Sequence, residues 1–307
     1  MSASGGATAI VAALLANAGI ALAKFVGYLI TGSSSMLAEA VHSVADTSNQ
    51  GLLLLGRKRA QRQATQEHPF GYGRDRYFYS FVVALLLFSL GSVFALYEGV
   101  HKLQSHDPLS SPLVAIGILI VAIVLEGVSF RTAIRESQPL KGGDSWWQFI
   151  RQSKSPELPV VLLEDAGALI GLLLAFCGIG LSVLIGDPIW DGFGTIGIGV
   201  LLGVIAIILI IETKSLLIGE GSDSDELNRI CGAMVGPGVD RVIHLRTQYL
   251  GPDELLIGAK IAVPAALSTA EVARIIDEAE ARVRGAIPAA RIIYLEPDLD
   301  RTPTSTT

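Results

Sequence analysis

Six side chains pose the chemical question: Glu39, His42, Asp46 and Asn49 in "LAEAVHSVADTSNQ", and Glu164 and Asp165 in "LPVVLLEDAGALIG". All six interrupt runs that are otherwise apolar. The first four are spaced i, i+3, i+7 and i+10, which lays them along one face of a helix. An imidazole nitrogen among carboxylate oxygens, with no thiolate, suits a borderline divalent ion such as Zn²⁺, and less selectively Mn²⁺, Fe²⁺ or Co²⁺. A charge held within a membrane costs at least a few kcal/mol and is functional by default, which makes His42, Asp46 and Asp165 candidate ligands. Structural roles are expected for two others: Glu39 pairing with Lys24 near the outer surface, and Glu126 reaching Arg131 near the inner one. Asn49 reads as a bystander.

The elements that must carry these groups follow from composition. Half of the 307 residues are hydrophobic and 17% are charged, which excludes a single soluble domain and fits several membrane spans followed by something wetter. Six runs, near 8–30, 34–56, 77–100, 112–130, 158–186 and 193–211, are long enough to cross about 30 Å of hydrocarbon as helices. The first lacks a basic leader and is too long for a signal peptide, so it is expected to stay in the mature protein. Arg57, Lys58, Arg59, Arg62, Arg74 and Arg76 follow the second run, and Arg131, Arg135, Lys141, Arg151 and Lys154 follow the fourth. The linkers on the other side hold only Lys102. The positive-inside rule therefore places both termini in the cytoplasm. Asp46 then lies roughly 15 Å from the cytoplasmic end of its span, and the Glu164–Asp165 pair roughly 10 Å from the same side. The two spans bring their polar groups to overlapping depths.

Two cysteines, Cys177 and Cys231, exclude both a disulfide framework and a thiolate metal site. The net charge of −6 selects no class, because its acidic part lies in the tail and its basic part in two loops. In "KGGDSWWQFIRQSKSPELP", Trp146, Phe149 and Ile150 share a helical face ending near Arg151 and Lys154. That pattern reads either as a short helix lying in the membrane interface or as an aromatic belt at the entrance to span five.

Beyond residue 214 apolarity gives way to helix and strand signals in the order αββαβ. Ser222 with Asp225 resembles a capping box, Ser268 with Glu271 is one by pattern, and "GPDE" supplies a hairpin between two strands. The expected organisation is an all-α six-helix transmembrane domain over 1–214, a small α+β αββαβ domain of ferredoxin-like type over 215–298, and a disordered tail over 299–307. A domain this small benefits from pairing with a copy of itself.

Taken together, "AEAVHSVADT" on span two, "HPFGYGRDR" opening span three, the acidic motif of span five and the αββαβ tail resemble the cation diffusion facilitators over nearly the whole chain. The resemblance implies a homodimer that exports a divalent cation, usually zinc, from the cytoplasm in exchange for protons, with the tail in the dimer contact. It makes His42 and Asp46 the metal pair of span two and Asp165 the aspartate of span five. Where the family has a second ligand four residues before that aspartate, this chain has Val161. Glu164 is the nearest substitute, although consecutive helical residues diverge by about 100°. The fourth ligand is Glu164, a water, or a residue from another span such as Asn17.

Of the family's accessory sites, the loop retains His68 but has Tyr72 and Thr65 at its other positions, and the tail retains Glu296 beside Tyr294 and Lys260. His244 reads as a surface or interface histidine. Because metal binds deprotonated ligands, His42 and Asp46 are also the expected proton-coupling groups, and histidine titrates near physiological pH. Zinc is cargo in this reading, with no resident cofactor. The expected partners are divalent cations, protons, membrane lipid and a second copy of the chain, with no nucleic acid. The expected location is the plasma (inner) membrane, with an organelle membrane as the alternative. Two other classes compete: a membrane-embedded metal hydrolase, for which the chain lacks an HExxH signature or a third buried histidine, and a non-transporting metal receptor or scaffold.

Overall fold

The computed structural model describes residues 4–105 and 111–299, with side chains outside residues 4–17, 87, 88 and 140. The chain divides into two compact units: residues 1–58 with 78–214, and residues 59–77 with 215–307.

The first unit is helical. Its long helices are α1 (Ser4–Thr31), α2 (Ser34–Ala60), α3 (Asp75–Ser105), α4 (Pro112–Lys141), α6 (Glu157–Ile185) and α7 (Ile189–Ile218), with a short α5 (Trp146–Gln152) between α4 and α6. Among the described residues, α3, α4, α6 and α7 are long and apolar enough to cross a membrane unaided, and Ala18–Thr31 of α1 is a shorter apolar stretch. Helix α2 has the length, but its polar stripe makes it too hydrophilic to qualify. Five of the six helices run past the apolar stretch read from sequence at one end or both, and α6 matches its stretch to within one residue. Helix α3 carries a wide π-helical turn at Val83–Phe88.

Met36, Val83, Leu119, Val160, Leu172, Ile198 and Leu202 form the centre of this unit. Lipid is as apolar as leucine, so helices associate by close fit rather than by the hydrophobic effect. The fit is tight at α6 and α7, where a Cβ added to Gly178 would lie 3.0 Å from the Trp190 carbonyl and one on Gly194 would lie 3.0 Å from that of Leu174. The apolar face of α5 is turned into the protein: Ile150 is buried with Ala133 and Leu162, Trp146 packs against them, and Phe149 is buried too, leaving Trp147 exposed. Of the two readings of this segment, the short helix is present, and its apolar face packs on the protein.

In the second unit, α8 (Ser224–Met234), β1 (Arg241–Gly251), β2 (Glu254–Ala262), α9 (Thr269–Ala286) and β3 (Ala290–Asp298) follow the αββαβ order. Strand β2 is central, antiparallel to β1 and parallel to β3. Alternate residues Leu255, Ile257, Ala259 and Ile261 of β2 are buried with Ile230 and Met234 of α8 and Ile275, Ala279 and Val283 of α9. Ser268 and Glu271 cap α9 reciprocally. The hydrogen bonds from Ser268 hold the Glu271 carboxyl below its usual range. The cap of α8 is Asp223, which accepts from the Glu226 amide, instead of Ser222, whose own amide donates to Thr247 Oγ1.

The segment 59–77 lies on the β1–β2 hairpin. A Cβ on Gly73 would come 2.7 Å from the Leu250 carbonyl, and Arg76 Nη1 meets Asp253 Oδ2 at 3.0 Å. The expected tail over 299–307 falls, beyond Leu299, outside the described residues, and so does the side chain of Asn17.

Candidate metal centre

Helix α2 presents one polar face inside the helical unit. Glu39, His42, Asp46 and Asn49 are all buried, as the stripe spacing requires. His42 Nδ1 and Asp46 Oδ1 stand 3.5 Å apart across one helical turn. Opposite them, α6 contributes Glu164 and Asp165, and α4 contributes Glu126, both helices bringing carboxylates into the electrostatic reach of Asp46. Asp165 Oδ2 accepts from Ser129 Oγ at 3.0 Å, so α4 orients the α6 aspartate. Both oxygens of Glu164 are buried without a well-formed hydrogen bond, although the side chain interacts with Asn49.

Among the described residues no three His, Cys, Asp or Glu side chains are drawn together closely enough to hold one ion. The structure therefore joins His42 to Asp46 and brings Asp165 and Glu164 into the field of Asp46 without closing them around a point. Carboxylates in a low-dielectric interior repel one another.

A second polar centre lies beside the first. Lys24 of α1 is fully buried, donating from Nζ to Glu39 Oε2 at 3.1 Å and to Ser43 Oγ at 2.7 Å. The expected Lys24–Glu39 pair is thus present. Its carboxylate is pressed against α6, where a Cβ on Gly171 would lie 2.5 Å from Glu39 Oε1.

Two domain families match the chain. Residues 10–218 match the cation efflux transmembrane domain, and residues 220–298 match the cytoplasmic domain of the cation efflux protein. The chain belongs to the cation diffusion facilitator, or cation efflux, family. The chain is 37% identical to the proton-coupled zinc antiporter SLC30A9, mitochondrial, of Xenopus laevis over 72% of its own length and 40% of that protein's. To metal tolerance protein C4 of Arabidopsis thaliana it is 30% identical over 82% of this chain and 56% of the relative. Magnetosome protein MamB of Paramagnetospirillum magneticum is 28% identical over 92% and 90% of the two chains. The chain thus spans about half or less of the length of the first two relatives. Among solved structures, a nickel form of the MamM C-terminal domain is 26% identical, covering 26% of this chain and all of that one, at a TM-score of 0.25.

In this cation efflux protein the accessory positions already have neighbours. His68 is stacked on Tyr72, with ring centroids 4.6 Å apart, in a cleft of about 330 Å³ that also includes Arg74 and Gln248. Glu296 Oε1 is paired with Lys260 Nζ at 3.0 Å, and the carboxylates of Glu296 and Asp298 hold the Lys260 ammonium above its ordinary value. His244 Nε2 accepts from Arg246 on the exposed side of β1.

Two residues of the cation efflux protein take roles that the sequence reading did not give them. Glu126 makes no ion pair with Arg131 and instead lies in the field of Lys24, Asp46 and Asp165. The i, i+5 spacing puts Arg131 about 140° around the helix from Glu126, away from its face. Asp191, in a segment read only as a linker, is fully buried at the start of α2. It accepts from the amides of Ser34 and Ser35 and from the hydroxyls of Ser33, Ser34 and Ser35. The serine-rich "GSSS" before a helix, with its unsatisfied amides, is the signal that a carboxylate belongs nearby.

Proposed function

We propose that this protein exports a divalent cation, with zinc as its substrate, in exchange for protons by alternating access. The observation that carries the proposal is the buried His42–Asp46 pair facing Asp165 and Glu164 within a cation efflux transmembrane domain. His42, Asp46, Asp165 and Glu164 are the proposed ligands. The imidazole nitrogen favours zinc over ions that prefer oxygen alone. Metal requires deprotonated ligands, so loading the site expels protons and protonation expels metal, which makes His42 and Asp46 the proposed coupling groups. The name of the SLC30A9 relative, a proton-coupled zinc antiporter, supports this exchange and makes an organelle membrane a placement equal to the plasma membrane. Both termini are assigned to the basic-loop side, and the αββαβ unit to the contact between two copies of the chain.

The test is zinc-dependent proton flux in vesicles reconstituted with the full chain. Flux in the wild type and its loss in Asp46→Ala are expected. Equal flux in the two would remove Asp46 from the site, and absence of flux in the wild type would remove transport itself.

A further inference from the structure

Lys24 is an unexpected neighbour for a site that takes cations. Its ammonium is fully buried on α1, held by Glu39 Oε2 at 3.1 Å and Ser43 Oγ at 2.7 Å. Among the described residues the other Glu39 oxygen has no hydrogen-bond donor. The charged and titratable groups facing this ammonium are Glu39, His42 and Asp46 from α2 and Glu126 from α4, with Glu164 and Asp165 of α6 adjoining them. Four or more buried carboxylates with no compensating charge would not be tolerated in a membrane. Lys24 places an ammonium against them, held by Glu39 and Ser43.

We infer that Lys24 is the site's tethered counter-cation, held by Glu39 beside the ligands, and that its fixed charge weakens metal binding enough for the transported ion to leave. The inference rests on the reading of this cluster as the transport site. Tight binding alone is of no use to a transporter, because an ion that cannot leave is not carried. Lys24 repels a divalent ion at Asp46 by Coulomb's law, while Glu39 attracts it and holds the ammonium back. Lys24 touches neither metal nor proton in this scheme and is a positioning residue.

The two halves of the pair consequently act with opposite sign. In calorimetric zinc titrations of the full-length protein, Lys24→Met is expected to lower the Kd about tenfold and Glu39→Gln to raise it about tenfold, the lower end of what partners of metal ligands contribute. In vesicles, Lys24→Met lowers KM and kcat together, because tighter binding slows release. Lys24→Met/Glu39→Gln returns the Kd toward wild type. A merely structural ion pair would move both single variants in the same direction, or leave the Kd of the folded protein unchanged, and either result overturns the inference. If Lys24→Met does not fold, an unchanged or lowered Kd in Glu39→Gln overturns it alone. Opposite Kd shifts in the two variants, together with a wild type that moves no zinc, would overturn transport and leave the counter-cation standing.

Discussion

Ser129 holds one oxygen of Asp165, its hydroxyl donating to Oδ2 over 3.0 Å from α4 to α6. Outer hydrogen bonds of this kind fix a ligand's orientation, and their loss typically costs 10- to 100-fold in metal affinity. Ser129→Ala is therefore expected to weaken apparent zinc affinity about tenfold in flux titrations, and Ser129→Thr to retain it. An unchanged affinity in the alanine variant would mean that packing alone orients Asp165.

Glu164 and Asp165 diverge around α6, so one substitution each separates them. Asp165→Asn is expected to abolish zinc flux, and Glu164→Gln to weaken it by about tenfold or more. Competition among zinc, manganese, cobalt and iron in both variants reads out selectivity. A Glu164→Gln protein with wild-type KM would show that the fourth ligand lies elsewhere.

Gly171 leaves room for the Glu39 carboxylate, whereas a Cβ on Gly180 of the same helix would meet nothing within 4 Å. Gly171→Ala is expected to destabilise the protein by about 1–3 kcal/mol through overpacking. Gly180→Ala should be neutral or slightly stabilising through helix propensity. Thermal unfolding in detergent compares the two, and equal melting temperatures would contradict the close approach of Glu39 to α6.

Asp191 anchors the start of α2, and removing its carboxylate strands buried donors. Asp191→Ala is expected to cost about 3 kcal/mol or more, and Asp191→Asn less, because the amide oxygen still accepts. Denaturation midpoints measure this. The zinc Kd of the folded fraction should stay as in the wild type, since none of the proposed ligands has changed.

The cap of α9 adds a pH-dependent increment. Because Glu271 titrates below its ordinary value in the folded state, the stability it contributes is fully present above the unfolded value. It is lost as pH falls through the lower folded one. Ser268→Ala is expected to cost about 1 kcal/mol at neutral pH. The difference from wild type should narrow in acid, as read by amide exchange in the first turn of α9. A gap independent of pH would separate the cap from Glu271.

What the sequence disclosed and what it hid divide by range. The polar stripe of α2, the Ser268–Glu271 cap and the "GPDE" hairpin are written within a few residues, where helix and strand periodicity dictate who faces whom. The cap of α8 is ambiguous by one position in the sequence, because Ser222 and Asp223 are both good caps and the choice depends on Thr247, 25 residues from Ser222. Asp191 carries no local signal, because its donors lie more than 150 residues earlier in the chain. The Lys24–Glu39 pair was anticipated, but its full burial was not, since a side-chain pair read from two helices carries no information about the third and fourth that close over it. Ser129 was invisible for the same reason: a hydroxyl in an apolar run has no periodicity of its own.

The segment 59–77 belongs to the second unit although it is threaded between the second and third long helices of the first. The modules of this protein are therefore not separable by one cut. A fragment beginning at Ser215 would carry a hairpin stripped of the glycine and arginine that rest on it, and a fragment ending at Lys214 would carry those residues with nothing to rest on. Chimaeras that exchange tails between relatives should graft two pieces of chain together, the loop and the tail, or leave a mismatched seam at Gly73 and Gly251.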